Sequence, residues 1–103
     1  LNQRSQDMLT ASNWNVCQYA VLLHMFSRAS GLEAGELIHV IADCHIYDRH
    51  VPLAEALIAR EPRPAPRLSI DPDVTDFYAF TPDSFRLERY DPWPFDGRIE
   101  VAV

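Results

Sequence analysis

The first nine residues, LNQRSQDML, alternate loosely, with Leu1, Gln3, Ser5, Asp7 and Leu9 on one side of an extended chain and Asn2, Arg4, Gln6 and Met8 on the other. Neither side is clearly apolar, so the strand predicted over 1–9 does not declare which face it buries. Residues 14–30, WNVCQYAVLLHMFSRAS, are apolar on nearly every side, and Gly31 follows as a C-terminal cap. That pattern predicts a helix buried within a larger body, with His24 held inside it as a core histidine. Residues 36–47, ELIHVIADCHIY, predict the clearest strand. Val40, Ala42, Cys44 and Ile46 would form its packing face, while His39, Ile41, Asp43, His45 and Tyr47 gather hydrogen-bonding groups on the other. A strand of that kind is a candidate wall for a ligand.

Residues 50–61, HVPLAEALIARE, place Leu53, Ala54, Leu57 and Ile58 at helical spacing with Pro52 near the start, as the first turn of a helix permits. The composition then changes abruptly. Pro62, Pro64, Pro66 and Pro72 force extended or turning backbone and exclude helix. Residues 84–90, SFRLERY, alternate again as a strand before DPWP. There is no internal repeat. Together these elements predict an α+β fold in which a mixed β-sheet packs against the buried helix, in a single domain over residues 1–103 without an internal boundary.

Length and charge narrow the function. A chain of 103 residues buries only about 60–68% of the surface it exposes when unfolded, so a partner is expected to add to its stability. With 9 Lys+Arg against 15 Asp+Glu, the net charge of −6 supplies no broad positive potential, which argues against nucleic acid as a partner. An anionic ligand must be held by local groups. No stretch approaches about 18 uninterrupted apolar residues, and LNQRSQD does not resemble a signal peptide, so no membrane span and a cytoplasmic location are expected. Cys17 and Cys44 both sit in apolar runs, where reduced, buried thiols are expected. The chain opens without Met inside a strand pattern, which suggests that residue 1 is not a natural beginning.

Candidate chemistry lies in two places. QRSQD brings Arg4, Ser5 and Asp7 close together, and a guanidinium fork beside a hydroxyl suits a phosphate monoester; the same residues also suit an ordinary solvated strand end. His45 and Tyr47, two apart on a strand, stand about 6.6 Å apart along it and can both donate to one hydroxylated ligand, or can simply cap a core as half-buried amphipathic side chains. A metal site fits poorly. His39 and His45 are roughly 20 Å apart on an extended strand, too far to share an ion whose ligands lie about 2 Å away. Neither a Gly-x-Ser-x-Gly elbow nor a glycine-rich phosphate loop is present.

QRSQDM, WNVCQYAVLLHM, GELIHVIADCHIYDRH, AREPRPAPRL and the closing VAV, in that order and with those gaps, resemble the C-terminal portion of thymidylate synthase over essentially all 103 residues. The resemblance implies reductive methylation of dUMP to dTMP, with 5,10-methylenetetrahydrofolate as donor of both carbon and hydride, and no metal. In that chemistry a thiolate adds to carbon 6 of uracil, carbon 5 captures the one-carbon unit, and hydride returns from the folate to leave dihydrofolate. It implies a homodimer, packed through its sheets, for the full-length enzyme. It places the phosphate of dUMP on Arg4 and Ser5, the uracil edge on Asn15, and the sugar hydroxyl on His45 and Tyr47. Asp7 is expected to order the folate pterin and a water network near the pyrimidine, and Ala102 and Val103 to close over the folate. Asp7 and Asn15 are thereby expected to assist catalysis.

The departures from the family pattern are Ala42 before Asp43 where Gly is common, Ala11 where a Leu-Gly step is common, and Trp93 where His usually follows Tyr-Asp-Pro. The nucleophilic cysteine is expected upstream of residue 1 in a Pro-Cys-His segment, so no catalytic nucleophile is assigned in this chain and the fragment alone is expected to be inactive. Two rival readings are a dUMP or dCMP hydroxymethylase on the same scaffold and a non-catalytic nucleotide-binding half.

Overall fold

The computed structural model describes residues 1–95 and 99–100. Strand β1 (Asn2–Asp7) pairs in parallel with β2 (Val40–His45), in constant register from Asn2 opposite Val40 to Asp7 opposite His45. β1 stops earlier than its alternation predicts because the Asp7 carboxylate accepts the N–H groups of Leu9 and Thr10, at 3.0 and 3.2 Å, and folds the chain into a turn. β2 is likewise shorter than residues 36–47, since the ladder begins only where Val40 N–H reaches the Leu1 carbonyl at 2.9 Å. Beyond its other end, Tyr47 leads into a 3₁₀ turn over Asp48–His50.

Helix α1 (Ser12–Ser30) starts two residues before the apolar run, and Gly31 follows in the left-handed region at φ +72°, as the predicted cap requires. Its burial differs from expectation. None of its residues is buried, Trp14 is 78% exposed, and His24 lies at the surface rather than in a core. A helix apolar on every side needs packed layers all around it, and the two-stranded sheets described here are too narrow to supply them. Helix α2 (Val51–Ile58) carries Pro52 in its first turn as predicted and ends three residues short of 61, with the N–H groups of Ala59 and Arg60 still turning back to Glu55 and Leu57 before Pro62.

The Pro-rich stretch is free of helix and leads into β3 (Arg67–Ile70), which pairs antiparallel with β4 (Phe85–Glu88), Arg67 opposite Glu88 and Ile70 opposite Phe85. Arg89, at φ +55°, ends β4 short of residue 90. Two 3₁₀ turns, Phe77–Ala79 and Pro82–Ser84, lie between these strands; stacked rings join Phe26 to Phe77 at 5.0 Å and Phe80 to Phe85 at 5.7 Å. Trp93, at the position where His is usual, has the Arg63 guanidinium 4.0 Å from its ring centre, while Arg63 also pairs with the Asp91 carboxylate.

The chain groups into two compact units, one comprising residues 1–20, 36–61 and 96–103, the other 21–35 and 62–95. The α+β class holds, with parallel and antiparallel pairing carried by separate two-stranded sheets. Among the described residues no hydrophobic side chain is fully buried. The expected packing face of β2 is open, Val40 being 54% and Ile46 44% exposed with Ala42 and Cys44 beside them. Both cysteines are free, but exposed rather than buried.

Candidate functional site

Constant parallel register puts Gln3, Ser5 and Asp7 of β1 beside Ile41, Asp43 and His45 of β2 on one face of the pair. The amide of Gln3 is fixed by what surrounds it. Its Nε2 lies 2.9 Å from the Ser5 carbonyl, which can only accept, so the amide nitrogen must face that way and Oε1 must face His39, 2.8 Å from its Nε2. The same Gln3 Nε2 donates to Asn15 Oδ1 at 3.1 Å. Asn15 is thereby held with its amide nitrogen free to donate, because no described residue pairs with it. A chain of orientation runs from His39 through Gln3 to Asn15.

A second row crosses the sheet. The Ser5 hydroxyl donates to Asp43 Oδ2 at 3.2 Å, Asp43 Oδ1 lies 3.4 Å from His45 Nδ1, and the His45 ring meets Tyr47 edge to face at 5.3 Å. Nε2 of His45 has no partner among the described residues. The Tyr47 hydroxyl has no partner among the described residues, and the Arg49 guanidinium lies 5.9 Å from its ring centre. Tyr47 meets the ring of His50 edge to face at 5.8 Å.

Asp7 closes the row at the end of β1. Burial alone would raise its carboxyl, but the Thr10 hydroxyl at 2.6 Å, the N–H groups of Thr10 and Leu9, and a smaller electrostatic contribution from His50 together hold it below the usual 3.8. A carboxyl whose folded value is depressed stabilises the protein above its unfolded value and loses that contribution as pH falls through the folded one. Thr10→Val is therefore expected to cost about 1 kcal/mol at pH 7, with the difference shrinking below about pH 4 as Asp7 protonates. Denaturant titrations at pH 7 and pH 3 check this; equal losses at both would mean that the hydroxyl does not act on the charged carboxylate.

The structure brings Ser5, Asp7, Asn15, His45 and Tyr47 together in one compact unit. Arg4 is exposed and follows the alternation onto the face opposite Ser5, with Gln6 and Cys44. Ala102 and Val103 lie outside the described residues. Among those described, no group of three or more His, Cys, Asp and Glu side chains could hold a metal ion. Gln3, His39, Thr10 and Asp43 act here as supports that carried no separate assignment in the sequence. For Gln3 and Asp43 a signal exists, since each is an even number of residues from an assigned neighbour and so shares its face.

On one side of the two-stranded parallel pair stand a hydroxyl, two carboxylates, an oriented amide and a His-Tyr pair, the groups of a candidate polar site in an α+β fold. The thymidylate synthase family model matches residues 1–103, and the chain belongs to that family. Among solved structures it is similar to thermostable thymidylate synthase A from Bacillus subtilis, with 43% sequence identity and a TM-score of 0.85 over 91% of this chain. The match covers 35% of that protein, so the chain spans about a third of its length.

Proposed function

We propose that the chain is the nucleotide-binding C-terminal portion of a thymidylate synthase that converts dUMP to dTMP with 5,10-methylenetetrahydrofolate. The observation that carries this reading is the convergence of Ser5, Asp7, Asn15, His45 and Tyr47 on one side of the β1–β2 pair. Asn15 offers a donor to the 4-carbonyl of uracil and would face a donor with a donor if the base were cytosine, which favours dUMP over dCMP and disfavours hydroxymethylation of dCMP. His45 Nε2 and the Tyr47 hydroxyl would share a sugar hydroxyl. Ser5 contributes a hydroxyl toward the phosphate, and Arg4, from the other face, the local positive charge that a chain of net charge −6 requires.

The folate, when bound, supplies both the one-carbon unit and the hydride. Asp7 suits it, because a carboxylate kept ionised offers acceptor oxygens to the ring N–H groups of a pterin. Ala102 and Val103 would close over it. The open apolar face of Val40, Ala42, Cys44 and Ile46 suits a homodimer packed sheet to sheet. A cytoplasmic location accords with two free thiols. Among the described residues no helix is long and apolar enough to cross a membrane.

Tyr47 provides the test. Its hydroxyl has no partner among the described residues and the residue is 39% exposed, so Tyr47→Phe should leave the melting temperature unchanged. Titrating dUMP into the full-length enzyme should show its dissociation constant raised by one lost hydrogen bond, about 0.5–1.5 kcal/mol. Equal affinity with a lowered melting temperature would return Tyr47 to a purely structural role.

A further inference from the structure

Ser5 faces two demands that one proton cannot meet together. It stands directly opposite Asp43 in the β1–β2 register, and its hydroxyl donates to Asp43 Oδ2 at 3.2 Å. A serine hydroxyl has a single hydrogen, and a carboxylate oxygen only accepts. A phosphate dianion likewise only accepts. With its hydrogen turned to Asp43, Ser5 presents lone pairs to a phosphate instead of a donor. The other carboxylate oxygen of Asp43 lies 3.4 Å from His45 Nδ1, two positions along β2. Asp43 is thus a negative group set between the hydroxyl read as a phosphate contact and the imidazole read as a sugar contact. Its side chain is 64% exposed, so water can replace Ser5 at Oδ2 when the hydroxyl turns away.

We infer that Asp43 is a positioning residue that sets how strongly the site prefers a phosphorylated nucleoside, by competing with the phosphate for the single Ser5 proton. The inference rests on the reading that Ser5 meets the phosphate of dUMP. On binding, the Ser5 O–H turns from Asp43 Oδ2 to a phosphate oxygen, so one hydrogen bond to an anion breaks and another forms, and the hydrogen stays on serine. Two bonds of the same charge-assisted kind nearly cancel, and Ser5 therefore adds little net affinity while Asp43 is present. The carboxylate also repels the phosphate beside it, and a chain of net charge −6 offers no broad positive potential to offset this. Both effects act on the phosphate. Sugar and base are the same in deoxyuridine and dUMP, so any influence of Asp43 through His45 is common to both ligands and cancels in their comparison. What Asp43 controls is the ratio of the two dissociation constants.

The test titrates deoxyuridine and dUMP into the full-length enzyme as wild type, Asp43→Asn, Ser5→Ala and the double variant. Asp43→Asn keeps the shape and an acceptor oxygen while removing the charge. It should raise the ratio of the deoxyuridine constant to the dUMP constant about three- to tenfold, the step from a charged to a neutral acceptor for the Ser5 proton. Ser5→Ala should lower that ratio by less than about twofold in wild type, yet by about three- to tenfold once residue 43 is Asn. A ratio that falls or stays the same in Asp43→Asn overturns the inference; a purely structural role gives that result, because it weakens both ligands alike. An equal rise with and without the Ser5 hydroxyl also overturns it, since Asp43 would then act as a general charge and not on that proton. Should Asp43→Asn not fold, Ser5→Ala alone decides, because a loss of more than about tenfold in its ratio would mean that the proton was available to the phosphate all along. Wild-type enzyme that binds dUMP no more tightly than deoxyuridine would instead overturn the reading of the phosphate contact, and the inference with it.

Discussion

The 103-residue chain on its own is expected to form no dTMP from dUMP and methylenetetrahydrofolate. The covalent step needs a thiolate over carbon 6 of the bound pyrimidine, and neither cysteine of this chain is placed to provide it. Cys44 lies opposite Gln6 in the β1–β2 register, on the face turned away from Asp43 and His45. Cys17 is exposed on α1, one residue past Val16, and forms no disulfide. Activity of the isolated chain, lost on replacing Cys17 or Cys44, would overturn the assignment. In the full-length enzyme the converse holds, and the combined Cys17→Ser, Cys44→Ser variant should keep kcat within about threefold of wild type, because substitutions that leave the reacting groups in place do not remove transition-state interactions.

Asn15→Asp in the full-length enzyme should relax or invert the preference for dUMP over dCMP. Gln3 would still donate to the new carboxylate, so the position of the side chain is retained while its pairing pattern changes. Uracil presents an acceptor at position 4 and a donor at position 3; cytosine reverses both. A protonated carboxyl beside Gln3 matches the reversed pattern, and an ionised one repels the 4-carbonyl. Each mismatched buried group costs about 1–3 kcal/mol, so two of them should move the ratio of kcat/KM for the two nucleotides by roughly thirtyfold or more. An unchanged ratio would mean that Asn15 does not read the base. The outcome also tests Gln3, since the swap is legible only if its amide holds residue 15 in place.

Much of this site is visible in short-range pattern. His45 and Tyr47 share a face because they are two apart on an extended chain, and the observed ring separation of 5.3 Å agrees with that spacing. Gln3, Ser5 and Asp7 share a face for the same reason, and the turn after Asp7 follows from a carboxylate that caps its own chain. The helix that ends at Gly31, the helix that begins near Pro52 and the proline stretch without helix are likewise local outcomes of backbone sterics.

Burial was not local. An all-round apolar helix and an apolar strand face imply that something covers them, but which atoms do so depends on surfaces far away in the chain or beyond these residues, and here Trp14, Val40 and Ile46 stay open. The links that make the site work are also long in sequence. Gln3 reaches Asn15 across 12 positions, Ser5 reaches Asp43 across 38, and His50 reaches Glu100 across 50. Periodicity states which residues of one strand point the same way; it contains no term for the partner strand or its offset. A shift of one residue in the pairing of β1 with β2 would send Ser5 away from Asp43 without changing either strand's alternation. Local chemistry thus determines which groups each element can offer, and only the tertiary register decides which of them meet.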